Sequence, residues 1–252
     1  MRIELVRYMA ILLPALVLGQ AGSALAGDGV TLIKQTPTTV FPINITAPGS
    51  YRLASDLKVT SLTADAIDIR ADDVTLDLNG FSIIEPGAGS GIGINSVAFA
   101  GNVVTVINGV VTAMAVGGVA LGDDAVVEGV RAVANGPHAF NGIVVGVHSL
   151  VIGNVANNNI GPVTEYGGVG IYCAGGCLVS RNTANSNKFI GIRSGSGSLI
   201  LGNSASGDVY GLDLNPEVGY GKNVMENNRG ACVNPTDGGA SMGDTVCNGV
   251  LE

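Results

Sequence analysis

Tryptophan is absent from the 252 residues, and all aromatic side chains together make up 4%. A core anchored on large rings is therefore excluded, and so is a binding surface built on many of them. Charged residues are scarce at 13%, with 12 Lys and Arg against 20 Asp and Glu. An acidic chain repels DNA, RNA and anionic lipid, whose phosphates need cations to neutralise them, so no nucleic-acid partner is expected. Histidine occurs twice, as His138 and His148, neither beside a recognisable ligand or acid–base partner. Beyond the N-terminus no apolar run reaches the roughly 20 residues of a spanning helix, so the mature chain is not expected to be transmembrane.

The N-terminus itself reads as an address. Arg2 and Arg7 form a short positive region, an apolar stretch runs from Tyr8 to Gly19, and Ala24-Leu25-Ala26 supplies small residues for cleavage before Gly27. The expectation is a signal peptide over residues 1–26 and a secreted or periplasmic protein. Its removal leaves 226 residues with a formal charge of −9.

What is abundant is glycine, with 39 residues, and small aliphatic mass within a 46% hydrophobic composition. That mix suits many short strands separated by turns. A Gly or Ala followed by an aliphatic residue recurs as Ala66-Ile67, Gly91-Ile92, Gly118-Val119, Gly142-Ile143, Gly170-Ile171, Gly191-Ile192 and Gly211-Leu212. The steps are 25, 27, 24, 28, 21 and 20 residues, the length of one solenoid coil, and Gly230-Ala231 stands where a last, degraded turn would begin. A second column repeats with it: Leu150-Val151-Ile152-Gly153-Asn154, Leu178-Val179-Ser180-Arg181-Asn182, Leu199-Ile200-Leu201-Gly202-Asn203 and Asn223-Val224-Met225-Glu226-Asn227. Val151, Val179, Ile200 and Val224 are expected to stack inward, and Asn154, Asn182, Asn203 and Asn227 to form an asparagine ladder in a bend. An amide can donate to one coil and accept from the next, which satisfies backbone groups that strand pairing leaves open. The fold class is therefore all-β, a single-stranded parallel β-helix of about six to eight coils with no linker or second domain.

Cys173, Cys177, Cys232 and Cys247 lie in the C-terminal part, and three pairings are possible. Cys173–Cys177, stapling a Gly-rich turn, with Cys232–Cys247, pinning the tail, is favoured. The spacing is a poor match to zinc sites, so no metal is assigned.

The run Pro48-Gly49-Ser50-Tyr51-Arg52-Leu53, then Asp56-Leu57, Ala66-Ile67-Asp68-Ile69 and Asp73-Val74-Thr75-Leu76-Asp77-Leu78-Asn79-Gly80-Phe81, resembles the opening of bacterial secreted right-handed parallel β-helix proteins of the pectate-lyase-like superfamily. The resemblance covers roughly residues 45–230 and implies a right-handed coil. It also implies an N-terminal cap over 27–62, a helix over 63–230 and a C-terminal cap over 231–252. It says little about activity, because one scaffold hosts many functions.

Chemistry on such a fold sits on outward columns. The residue after each anchor gives Asp68, Gly93, Ala120, Val144, Tyr172, Arg193 and Asp213. Tyr172, Arg193 and Asp213 place an aromatic, a cation and a carboxylate on consecutive coils, a set that can stack on a sugar and bond its hydroxyls or carboxylate. The competing reading is a surface ion pair beside a solvated ring. Two longer bends, 135–141 and 157–166, carry Phe140 and Tyr166 and have the length to wall a groove. Enzyme signatures are thin. Asp123-Asp124, His148 and Gly191-Ile192-Arg193-Ser194 only graze the pattern of glycoside hydrolases on this fold, and Gly136-Pro137-His138-Ala139 lacks the carboxylates of the alginate-epimerase pattern. Asp72, Asp73 and Asp77 form an acidic group with no basic partner in register. The first reading is a monomeric protein that binds polysaccharide or another cell-surface component without catalysis and needs no cofactor. The alternative is a carbohydrate-active enzyme, a lyase, hydrolase or epimerase on an acidic polysaccharide, with Ca²⁺ only if it is a lyase.

Overall fold

Short runs of Val, Ile and Leu between Gly and Asn become strands of two to nine residues, and these stack coil upon coil. The structure is a computed structural model that describes residues 24–25, 29–61, 63–85, 89–96, 103–136, 141–161, 167–234 and 238–251. Among these, no helix is long and apolar enough to cross a membrane. The expected signal peptide lies outside the described residues apart from Ala24–Leu25, whose backbone pairs antiparallel with Leu32 and Thr31.

Two parallel sheets form the walls. The first has thirteen strands and ends at Ala240–Ser241; the second has nine and runs from Ile43–Ile45 to Ala231–Val233. In the second, Ile43, Ile67, Ile94, Val119, Ile143, Ile171, Ile192, Leu212 and Val233 are successive register partners, which defines about eight turns. The segment expected as a cap over 27–62 thus already contributes strands to both walls. At the other end Val246–Cys247 turns back on Val250–Leu251 as an antiparallel pair.

Register explains the glycine repeat. A Cβ on Gly118 would lie 2.5 Å from the carbonyl oxygen of Gly142, and on Gly142 2.7 Å from that of Gly170. The same crowding recurs at Gly93, Gly170, Gly191 and Gly211, so the anchor glycine is the residue over which the next coil passes closest. One anchor differs from expectation: Ile94, not Ile92, pairs with Ile67 and Val119. Gly91-Ile92-Gly93-Ile94 repeats the same dipeptide two residues apart, so local pattern alone is degenerate there.

The core is a set of aliphatic columns, with Val151, Val179 and Ile200 fully buried in one of them. The next member is Tyr220, which pairs with Ile200, whereas Val224 is 43% exposed. The asparagine ladder shifts with it. Asn154 Nδ2 donates to Asn182 Oδ1 at 3.0 Å, Asn182 to Asn203 at 3.0 Å, and Asn203 to Asn223 at 3.0 Å. Each backbone N–H on that line donates to the same oxygen, at 2.8, 2.9 and 2.9 Å. Asn227 is outside this ladder. It is exposed at a bend with φ 58° and meets Asn248 through its backbone N–H. The register residue is Asn223 because Lys222, just before it, takes the left-handed conformation that Gly153, Arg181 and Gly202 take before the other three rungs.

A second ladder runs through the interior behind the glycines. Met114 N–H donates to Asn135 Oδ1, Asn135 N–H to Asn159, Asn159 N–H to Asn187, Asn187 N–H to Asp208, and Asp208 N–H to Asn228. Cys173 is bonded to Cys177 and Cys232 to Cys247, so both favoured pairings are present.

Candidate functional site

The outward column of the second sheet reads Asn44, Asp68, Asn95, Ala120, Val144, Tyr172, Arg193 and Asp213 in strict register. Asn95 replaces the expected Gly93, a consequence of the shifted anchor. Adjacent rungs lie about 4.8 Å apart, as hydrogen-bonded strands must.

Tyr172, Arg193 and Asp213 are therefore brought together on three consecutive strands. Arg193 Nε lies 3.2 Å from Asp213 Oδ2, with side chains 24% and 8% exposed. Asn234, from the following coil, donates its Nδ2 to Asp213 Oδ1 at 2.9 Å. Both carboxylate oxygens are thus engaged, and Asp213 braces the guanidinium. Tyr172 stays half-buried beside it. The result is a rigid set of ring, cation and amide on a sheet face.

A second polar group stands at the other end of the column, and single-residue inspection missed it. Asp68 is 4% exposed and accepts from Arg70 Nη2 at 3.0 Å. Asp65 Oδ2 accepts from Asn95 Nδ2 at 2.8 Å, and Asp65 Oδ1 from Ile92 N–H at 2.7 Å. Burial pushes the Asp68 carboxyl above the ordinary range; the Arg70 bond opposes this, and the neighbouring Asp65 adds to it. The available signal was the pair Asp65 and Asp68 around one anchor, hidden because the register slip removed Asn95 from the column.

The remaining candidates separate. Asp123 Oδ1 accepts from Val147 N–H at 2.9 Å and braces a turn, while Asp124 faces His148 Nδ1 at 3.9 Å with both groups largely in solvent. Asp77 does have a basic partner in register, Arg52, with Nε 3.2 Å from Oδ2. His138, Phe140 and Tyr166 lie outside the described residues. Among the described residues no group of three or more His, Cys, Asp or Glu is placed to hold a metal. A shallow hollow lined by Gln35, Thr36, Pro37, Ser55, Asp56 and Lys58 lies near the N-terminal end, off this column. Its Gln35 amide is spent on the Lys58 backbone, at 2.7 and 2.9 Å.

No family model matches the sequence. No curated protein matches it either. Among solved structures the chain is similar to the A-module of the mannuronan C-5 epimerase AlgE4 of Azotobacter vinelandii, at 12% identity and a TM-score of 0.45, over 84% of this chain and 83% of that one. It is also similar to the Dettilon tailspike protein, at 11% identity and a TM-score of 0.35, over 84% of this chain and 59% of that one. What the site can do rests on its own residues.

Proposed function

We propose that the protein is an extracytoplasmic right-handed β-helix that binds a linear glycan along the outward column of its second sheet, without turning it over. The observation that carries this reading is the braced Arg193. Its guanidinium is held by a carboxylate whose two oxygens are both engaged, beside the Tyr172 ring on the neighbouring strand. A fixed donor fork next to an aromatic face suits a sugar ring with hydroxyl or carboxylate substituents. Coil spacing is close to the length of one sugar residue, so successive rungs can meet successive sugars. The address-like N-terminus and two disulfides support an oxidising compartment outside the cytoplasm.

The test is a screen of polygalacturonate, alginate and neutral polysaccharides, with and without Ca²⁺, reading affinity, unsaturated product and reducing ends. Binding without turnover is expected. Tyr172→Ala should weaken it about fivefold, the scale of a lost stacking contact of about 1 kcal/mol. Turnover that disappears in Arg193→Ala would sink the binding reading. The enzymatic alternative draws on one observation, the Asp68 carboxyl pushed up by burial with neighbouring Asp65 adding to it, since perturbed carboxyls mark acid–base sites. On that reading Asp65→Asn and Asp68→Asn, not changes at Asp213, abolish turnover.

A further inference from the structure

The interior ladder changes residue type once, at Asp208, next to Asn187, whose Nδ2 is buried without a hydrogen-bond partner. At Asn135, Asn159 and Asn228 the side-chain amide donates to a carbonyl of an adjoining coil: Val111 O at 3.0 Å, Ala132 O at 3.2 Å and Ala205 O at 2.9 Å. Asp208 occupies the same slot with no amide to donate. Its Oδ1 accepts from Asn187 N–H at 2.6 Å, its own N–H donates to Asn228 Oδ1 at 2.9 Å, and the residue has no exposed surface. Oδ2 is buried without a hydrogen-bond partner and faces Gly191, where a Cβ would lie 2.7 Å from it. Val155, Thr183 and Ser204 are successive bridge partners, so the carbonyl equivalent to those of Ala132 and Ala205 belongs to Ala184. An ionised carboxylate would set two acceptors against each other there.

We propose that Asp208 carries a proton on Oδ2 at neutral pH and donates it to the Ala184 carbonyl, so that this rung latches the coils bearing Arg193 and Asp213 and the latch weakens as pH rises. Gly191 and Ile192 precede Arg193 on the strand against which Asp208 packs, and Asp208 itself leads into the strand Tyr210–Leu214. The charged group that faces Asp208 is Arg229, whose Nε lies 3.4 Å from the Asp208 carbonyl and whose Nη2 is held by Lys188 O at 2.9 Å. Asn187, Asn228 and Gly191 are neutral. Burial pushes the carboxyl up to about 8, against the pull of the Asn187 hydrogen bonds and the Arg229 charge.

The sign follows from the two states. The folded chain keeps this proton up to about pH 8, whereas the unfolded chain loses it near the ordinary value of 3.8. Stability from this group therefore falls as pH rises from about 4 to about 8, roughly tenfold in the folding constant per pH unit, and then levels off. That the latched coils matter to binding rests on the glycan reading; the latch itself does not.

The experiment uses the full chain and Asp208→Asn, with carboxyl NMR titration, urea unfolding and amide exchange from pH 5 to pH 9.5. Expected are one Asp carboxyl titrating near pH 8 and, after correction for intrinsic base catalysis, protection of Ile190–Ser194 and Tyr210–Leu214 that falls from pH 5 to about pH 8 in the parent but not in Asp208→Asn. At pH 7 the folding constant of Asp208→Asn should exceed the parent's by on the order of a thousandfold. Asn159→Asp should import the same pH sensitivity two rungs earlier in the ladder. An Asp208 carboxyl that titrates near pH 4, or equal pH dependence in parent and Asp208→Asn, overturns the proposal. Absence of glycan binding with the titration intact overturns only the functional reading.

Discussion

The last rung of the outer ladder offers a sharp test, because Asn223 and Asn227 are four residues apart and only one is structural. Asn223 Oδ1 accepts from Asn203 N–H at 2.9 Å and Nδ2 at 3.0 Å, and its own Nδ2 donates to Ile200 O at 2.9 Å. Alanine there leaves a buried Asn203 N–H without a partner and takes one of the donors from the Ile200 carbonyl, which keeps its place in the strand ladder. Asn203 Nδ2 keeps Val179 O at 3.0 Å. One orphaned buried donor costs about 1–3 kcal/mol and each further lost bond about 1 kcal/mol, so Asn223→Ala should destabilise by about 3 kcal/mol. At Asn227 the bond to Asn248 comes from the backbone and survives substitution. Its positive φ costs an alanine about 1 kcal/mol, and Asn227→Gly should recover that. Urea unfolding followed by far-UV circular dichroism suits a chain without tryptophan. A double variant with Asn203→Ala should be less than additive, because both truncations break the same bonds. An Asn227→Ala midpoint as low as that of Asn223→Ala would refute the ladder as described.

Gly170→Ala should cost about 3 kcal/mol by overpacking, since its Cβ would meet Asn187 Nδ2 at 2.5 Å and Gly191 O at 2.7 Å, while Gly153→Ala, in open space, should cost about 1 kcal/mol for its φ alone; thermal melts separate them. Removing the Cys232–Cys247 bond with paired serines should cost about 3 kcal/mol, against about 2 for Cys173–Cys177, because the longer loop leaves more chain entropy to the unfolded state; urea titrations under oxidising conditions give the comparison.

The solenoid was legible because its constraints repeat. Gly118, Gly142, Gly170, Gly191 and Gly211 each stand where the next backbone passes too close for a Cβ, so the steric rule is written once per coil. Misreadings occurred where the same local pattern fits twice. Ile92 and Ile94 differ by two positions, which preserves the inward face and leaves only long-range pairing to choose between them. Tyr220 escaped notice because an aliphatic was expected in its column, yet the flanking Gly219 and Gly221 and the nearby Gly239 leave room for a ring at the end of the stack. The interior ladder was obscured differently. Asn159 ends a run of three asparagines, and Asp208 breaks the residue type while keeping the position. Tyr172, Arg193 and Asp213 were readable as a column, but Asn234, which closes the brace, belongs to a coil whose anchor is Cys232-Val233 rather than Gly and an aliphatic residue.

The two outer walls also differ in a way that bears on where a ligand goes. In the first sheet Val126, Leu150, Leu178 and Leu199 are outward partners across four consecutive strands, with Leu150 39% and Leu199 43% exposed. Such a column offers dispersion contact but no donor or acceptor beyond the paired backbone, so it cannot discriminate one hydroxylated ligand from another. The second sheet carries Asn44 and the buried Asp68 and Asn95 at one end of its column and Arg193 with the buried Asp213 at the other, with Ala120 and Val144 between them and Tyr172 next in line. On the proposed glycan reading, sugar ring faces lie over that apolar centre and hydroxyls meet the polar side chains at its ends. In each sheet one face packs on the aliphatic core and the other points outward, so the choice of wall is made by the outward side chains.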